Sequence, residues 1–175
     1  RVHGTNRGLA ITTDCTPRYV KADPVNGGKQ AVAEAYRNIS ACGATPLSVT
    51  NNLNFGNPEK PRIMGQITGS VTGMGDACNA LGTPVVSGNV ALYNETDGQA
   101  INPAPVIGMI GVIDNVDQAL GIGLTASDRH ILVVGQLANH NDGWLGCSVY
   151  ADQMTDTDPM APPPVDLDAE ANHGG

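Results

Sequence analysis

The apolar positions change their period several times along the chain. "GLAITTD" (Gly8 to Asp14) is a short apolar run ending in polar residues, which predicts a strand that delivers Asp14 to a loop. "CTPRYVKADPVNGG" (Cys15 to Gly28), with two prolines and two glycines, reads as that loop. From Lys29 the spacing becomes helical, with Val32, Ala35, Tyr36, Ile39 and Cys42 on one stripe and Gly43 where a C-terminal cap would stand. "PLSVTNNLNF" (Pro46 to Phe55) returns to strand. "NPEKPRIMGQITGSVTGMGDACNALG" then predicts a second helix, its stripe Met64, Ile67, Val71, Met74, Cys78 and Leu81 running past four internal glycines.

Two further strands follow, "TPVVSGNVALYN" and "APVIGMIGVID", joined by the polar turn "ETDGQAINP". The first looks buried, with aliphatic residues on both sides of a Ser-Gly-Asn break. A helical turn around "NVDQALGIG" closes the unit, and "DRHILVVG" (Asp128 to Gly135) opens a new strand. The Pro-rich acidic tail regains a helix signal at "VDLDAEA". This order argues an α/β or α+β fold with a layer of helices on one face of a sheet. It divides the chain into a domain over residues 1–124 and the truncated start of a second over 125–175.

Composition narrows the partners. Apolar residues make up 41% of the 175, enough for a core, but aromatics are only 3%, so Val, Ile, Leu, Ala and Met must build it. Few rings and a net charge of −8 argue against nucleic acid and anionic membranes, which favour stacking platforms and basic grooves. A nucleotide could still be held locally through Mg²⁺ and backbone amides. Cys15, Cys42, Cys78 and Cys147 have no C-x-x-C spacing, a reduced, cytoplasmic pattern, and Cys42 and Cys78 fall on helical stripes that suit core packing. No charged-then-apolar leader and no span-length apolar run stands out. The start at Arg1 and the end in "EANHGG" suggest a piece of a longer protein.

Few constellations suggest chemistry. "NGGKQ" (Asn26 to Gln30) fails the phosphate-loop spacing, because Asp23 and Gln30 stand where Gly and Ser or Thr are required; a turn and helix start with Lys29 solvated is the better reading. His3, His130, His140 and His173 share no ligand spacing. Asp14, "PRY" (Pro17 to Tyr19), "NNLNFGNP" (Asn51 to Pro58) and "SGN" (Ser87 to Asn89) differ from these. Each puts short polar groups or glycine at or within a strand, where they either mark turns or reach a ligand. Together, such amides and glycines could hold a nucleotide phosphate and Mg²⁺, which takes only one or two protein oxygens and keeps several waters.

"TTDCTPRYVKADPVNGGKQAVAEAYRNISACGATPL", "NLNFGNPEKP", "PVVSGNVALYNETDG" and the tail "APPPVDLDAEA" resemble the second half of the large synthetase subunits of the phosphoribosylformylglycinamidine synthase family. The resemblance runs over nearly the whole chain. It implies two aminoimidazole-ribonucleotide (AIR) synthetase-like units per subunit, this chain being the N-terminal domain of the second and the beginning of its C-terminal domain. It also implies a ligase of purine biosynthesis that uses ATP and Mg²⁺ to activate the amide oxygen of formylglycinamide ribonucleotide, so that ammonia can displace phosphate and form the amidine. The ammonia would come from a glutaminase partner, with a small bridging subunit in multi-chain forms.

Position by position, the resemblance makes Asn51 and Gly88 ATP-binding, Asn89 a Mg²⁺ ligand and Ala91 a substrate contact. Asn51 stands where the family has Asp, and Ala91 where it has Ser. The family's two catalytic histidines belong to the first unit, so no catalytic residue is expected here and the chain alone should be inactive. The alternative is a degenerate half whose nucleotide site only braces the synthetase fold or interface. A related synthetase or selenium-activating kinase of the same superfamily accounts less well for "NLNFGNPEKP".

Overall fold

The computed structural model describes residues 1–123, 130, 132–135, 144–156 and 160–174. Its centre is a four-stranded sheet of β1 (Gly8–Cys15), β2 (Thr45–Asn54), β3 (Val85–Ala91) and β6 (Ala104–Ile113), in the order β1-β6-β2-β3. β6 runs antiparallel to both neighbours, and β2 and β3 are parallel. Between β3 and β6 the chain makes a small hairpin of β4 (Glu95–Thr96) and β5 (Gln99–Ala100). The two strands expected on either side of that turn, β3 and β6, are not neighbours, because β2 lies between them.

One face of the sheet is covered by α2 (Pro24–Ala41) and α3 (Pro61–Ala80). Val32, Ala35, Tyr36 and Ile39 of α2 are buried against Val49 and Leu53 of β2 and Ile107 and Met109 of β6, as the helical stripe predicts. Cys42 is half-buried at the helix end, Cys78 is buried, and all four cysteines are free. Fully burying one such aliphatic side chain stabilises by about 1.5–3 kcal/mol, so this layer carries the fold.

The loop expected over Cys15–Gly28 is instead mostly helical: α1 (Pro17–Ala22) and the first turn of α2 both begin at a proline. At the first helical position proline loses no hydrogen bond and its φ is already helical. Asp23 caps α2, its carboxylate accepting from the backbone N–H groups of Val25 and Asn26 at 3.1 Å. Gly27 and Gly28 lie inside the helix, where an added Cβ would come within 2.4 Å of Val20 N and 2.6 Å of Ser70 O. "NGGKQ" is thus a packing notch, and Lys29 is paired with Asp76 at 3.3 Å rather than solvated.

The α3 stripe needs a similar correction. Met74, Cys78 and Leu81 are buried and Ile67 is half-buried, but Met64 and Val71 are exposed, and Ile63, Gln66, Ser70, Gly73 and Ala77 fill the buried face. Small residues win there because α2 crosses closely: a Cβ on Gly73 would lie 2.0 Å from Val25 O. A hydrophobicity pattern does not register a position whose requirement is the absence of a side chain.

Beyond β6 lie a 3-10 turn, Val116–Gln118, where a helical turn was expected, a second at Trp144–Cys147, then α4 (Val149–Met154) and α5 (Leu167–Gly174), the last on the predicted helix signal. The strand expected over 128–135 falls partly outside the described residues, and residues 132–134 carry no strand. Arg18 ties α1 to this region, its guanidinium reaching Asp152 at 2.6 Å and donating to Ser148 O at 2.8 Å and Cys147 O at 3.3 Å.

Candidate functional site

β2 and β3 both run toward the same edge, so their carboxyl ends open side by side, the place where open α/β sheets hold ligands. The register sets Asn51 beside Gly88, Asn52 beside Asn89 and Asn54 beside Ala91. Neighbouring residues alternate between faces. Asn51 and Gly88 thus belong to the helix-covered side, and Asn52 and Asn89 to the open side.

Three of the four expected site residues, Asn51, Gly88 and Asn89, line one shallow depression of about 400 Å³, together with Thr13, Thr50, Asn52, Ser87, Val106 and Gly108. Ala91 stands two residues further along β3 at its end, half-buried. Ser87 Oγ donates to Thr50 Oγ1 at 2.7 Å, and Asn89 Nδ2 donates to Asn52 Oδ1 at 3.0 Å. Among the described residues nothing donates to the Asn89 oxygen, which leaves a neutral acceptor facing the depression. The missing side chain of Gly88 is used by Asn51, since an added Cβ would lie 2.3 Å from Asn51 Oδ1.

The β3 segment that looked buried is exposed from Val85 to Val90. It is an edge strand, and the helices cover only β1, β6 and β2. The open face is divided. Leu9, Ile11 and Ile110 form an exposed apolar half, and Thr13, Thr50, Asn52, Ser87 and Asn89 form the polar half.

Two of the sequence's candidate groups stay outside the depression. Asp14 shares a row with Asn51 but lies two strands away across Ile107, about 10 Å at ordinary strand spacing. Its carboxylate accepts from Thr12 Oγ1 and Asn38 Nδ2, each at 2.9 Å. Nearby, burial and then the charge of Asp14 push the Glu34 carboxyl up, partly offset by Arg37. "PRY" lies in α1, with Arg18 engaged by the carboxyl-terminal segment. Among the described residues no group of three His, Cys, Asp or Glu could hold a metal, so any ion at this site would rest on amide, hydroxyl and ligand oxygens.

Thr50 is a candidate site residue outside the stretches singled out in the sequence, while Asn52 and Ser87 lay inside "NNLNFGNP" and "SGN" with no role of their own. Their signal was strand parity: once Asn89 is taken as facing a ligand, Ser87 shares its face, and the parallel partner contributes Thr50 and Asn52.

Comparison with known proteins agrees with this architecture. Residues 1–113 match the family model of AIR synthase related proteins, N-terminal domain. The phosphoribosylformylglycinamidine synthase subunit PurL of Rhodospirillum rubrum is 59% identical over 168 residues, 96% of this chain and 23% of that protein. The PurL subunit of Azorhizobium caulinodans is 58% identical over 174 residues, 99% of this chain and 23% of that protein. The chain thus spans about a quarter of the length of these relatives. Among solved structures, T. maritima PurL complexed with ATP superposes with a TM-score of 0.61 at 32% identity, over 65% of this chain and 19% of that one. PurLQS from Thermotoga maritima gives 0.61 at 32% over 66% of this chain and 19% of that one. AaThiL complexed with AMPPCP and TMP, at 18% identity and a TM-score of 0.51 over 65% of this chain and 35% of that one, shares the fold alone.

Proposed function

The chain belongs to the AIR synthase related family, and from that membership we propose that it is the nucleotide-contacting part of an ATP-dependent carbon–nitrogen ligase, phosphoribosylformylglycinamidine synthase. In this reading the complete protein converts formylglycinamide ribonucleotide, ATP and glutamine-derived ammonia to the amidine, ADP and phosphate. The observation that carries it is the pairing of Asn51 with Gly88 and Asn52 with Asn89 at the carboxyl ends of two parallel strands.

The residues fit the groups assigned to them. Asn89 offers Mg²⁺ a single neutral oxygen, oriented by the amide hydrogen bond to Asn52; an ion that keeps its waters and binds phosphate oxygens asks for little more. Mg·ATP, when bound, supplies the phosphoryl group that makes the substrate's amide oxygen a leaving group. Asn51 retains an acceptor for the nucleotide without the charge of Asp. Ala91 keeps the backbone at the substrate end of β3 and gives up a hydroxyl, a loss of about 1 kcal/mol for an ordinary hydrogen bond.

The apolar half of the open face, Leu9, Ile11 and Ile110, supports docking of the first AIR-synthase-like half of the same protein, since large exposed apolar patches mark interaction surfaces. A glutaminase subunit and a small bridging subunit complete the assembly in multi-chain forms. Four free cysteines support a cytoplasmic location. Among the described residues no helix is long and apolar enough to cross a membrane. Residues 1–124 form the first domain and 125–175 begin the second, a boundary just past the family match at residue 113.

The experiment is to supply the complete protein with formylglycinamide ribonucleotide, Mg·ATP and an ammonium salt. The expected result is substrate-dependent phosphate release matched one to one by amidine. Phosphate release indifferent to the ribonucleotide would overturn the assignment. A second reading, a bracing site that holds nucleotide without turnover, is favoured by Asn51 filling the Gly88 notch. Calorimetry with Mg·ATP separates the two, because a bracing nucleotide would neither exchange nor turn over.

A further inference from the structure

β3 has a weakly specified register. Its residues are exposed from Val85 to Val90, so no buried face holds it in phase. The ladder to β2 also shifts by one residue near its start, Val49 pairing with Val85 but Thr50 with Ser87. Whatever fixes the amino end of β3 therefore does not dictate the register at its carboxyl end. A one-residue slip there would turn Asn89 to the other face of the sheet.

The segments leaving the two strands are knitted together at this end. Asn94 Nδ2 donates to Ala91 O at 2.9 Å and Phe55 O at 3.2 Å, and Asn94 N donates to Phe55 O at 3.1 Å. Phe55 N donates to Ala91 O and Tyr93 N to Gly56 O, both at 3.0 Å. Tyr93 takes a φ of 60° to make this turn, a conformation a non-glycine residue holds only when its surroundings over-determine it. Phe55 is fully buried, so the knot is anchored in the core. Outside it, Lys60 Nζ meets both Glu95 oxygens at 2.8 and 2.9 Å, and Asn57 N donates to Glu95 Oε1 at 3.1 Å.

We propose that Asn94 is a positioning residue of the β2–β3 site: by joining the carbonyls that end the two strands, it sets Gly88 against Asn51 and Asn89 against Asn52. The Lys60–Glu95 pair holds the same clamp from outside. This rests on the nucleotide–Mg²⁺ reading of those four residues. It also explains why "NLNFGNPEKP" and "LYNETDG", distant in sequence, each carry unusual polar residues: they are the two halves of one clamp.

The test uses the complete protein carrying Asn94→Asp, which keeps the shape but replaces the donor with an acceptor facing two carbonyls. The expected result is a rise of about 10-fold or more in the Mg²⁺ concentration that half-saturates ATP-dependent turnover, in keeping with loss of a residue that orients metal ligands. A purely structural role would lower the thermal midpoint and leave the Mg²⁺ dependence of the folded enzyme unchanged, and that result overturns the proposal. Should Asn94→Asp fail to fold, Lys60→Gln is read in the same way: a rise of about 3-fold or more supports the clamp and an unchanged value overturns it. Asn89→Ala in parallel separates the two claims. If it shifts the Mg²⁺ dependence and the clamp variants do not, only the clamp fails; if Asn89→Ala is silent, the metal reading fails and the clamp falls with it.

Discussion

Gly88→Ala probes the site most directly. The new Cβ would lie 2.3 Å from Asn51 Oδ1, 3.3 Å from Asn51 Cγ and 2.9 Å from Asn51 O, whereas carbon–oxygen contacts settle at about 3.3 Å or more. Relief requires the Asn51 side chain to turn away and β3 to separate slightly from β2, and overpacking of this kind costs about 1–3 kcal/mol. β3 is an edge strand, so the cost falls on its local opening. Amide exchange of the β3 segment, measured by mass spectrometry on the complete protein, should accelerate about 5- to 150-fold, each tenfold corresponding to about 1.4 kcal/mol. Asn51→Ala removes the nearest offending atoms and leaves only the backbone oxygen, so the double variant should recover about 1 kcal/mol relative to the sum of the singles. Unchanged exchange in Gly88→Ala, or simple additivity, would refute the claim that this glycine is there to admit Asn51.

Other outcomes test other parts of the account. Gly73→Ala should lower the thermal midpoint by an amount equivalent to about 3 kcal/mol, because its Cβ would meet Val25 O at 2.0 Å; Gly75→Ala, with nothing within 4 Å, should raise it by about 0.5–1 kcal/mol. Lys60 and then Asn57 N–H hold the Glu95 carboxyl below its ordinary value of 4.5. That contribution is complete above the ordinary value and is lost as pH falls through the lowered one, so an acid melt of Glu95→Gln should lose a matching part of its pH dependence below about pH 4.5. Glu34 has the opposite sign: its raised carboxyl makes the ionised form costly, so Glu34→Gln should raise the midpoint at pH 7 and lose that advantage below the ordinary value of 4.5. Ala91→Ser should lower the KM for the ribonucleotide by up to about 5-fold if the hydroxyl reaches substrate, equivalent to about 1 kcal/mol.

The helices and strands that bury an aliphatic face were legible from their periodicity, as Val32, Ala35, Tyr36 and Ile39 illustrate. What escaped the pattern obeyed different physics. Gly27, Gly28 and Gly73 are chosen for the side chain they lack, and a hydrophobic stripe does not record a close helix crossing. Pro17 and Pro24 read as loop formers but start helices. β3 has the composition of a buried strand, yet its exposure follows from the order β1-β6-β2-β3, which is a property of the whole sheet. Gly88 and Asn89 stood out as a break in an apolar run and Asn51 as the start of "NNLNFGNP", and the resemblance to known synthetases gave them roles and added Ala91. Thr50, and the pairing of Ser87 with Thr50 and Asn89 with Asn52, required the register, and the clamp around Asn94 required the loops to be seen together.

The central claim is that Asn89, held by Asn52 at the carboxyl end of β3, is a Mg²⁺ ligand in an ATP-dependent ligase. Its most direct test is a Mg²⁺ titration of ATP-dependent amidine formation by the complete protein carrying Asn89→Ala. The account predicts a half-saturating Mg²⁺ concentration raised about 10-fold or more, with the thermal midpoint little changed. A variant with wild-type rate and wild-type Mg²⁺ dependence would contradict it.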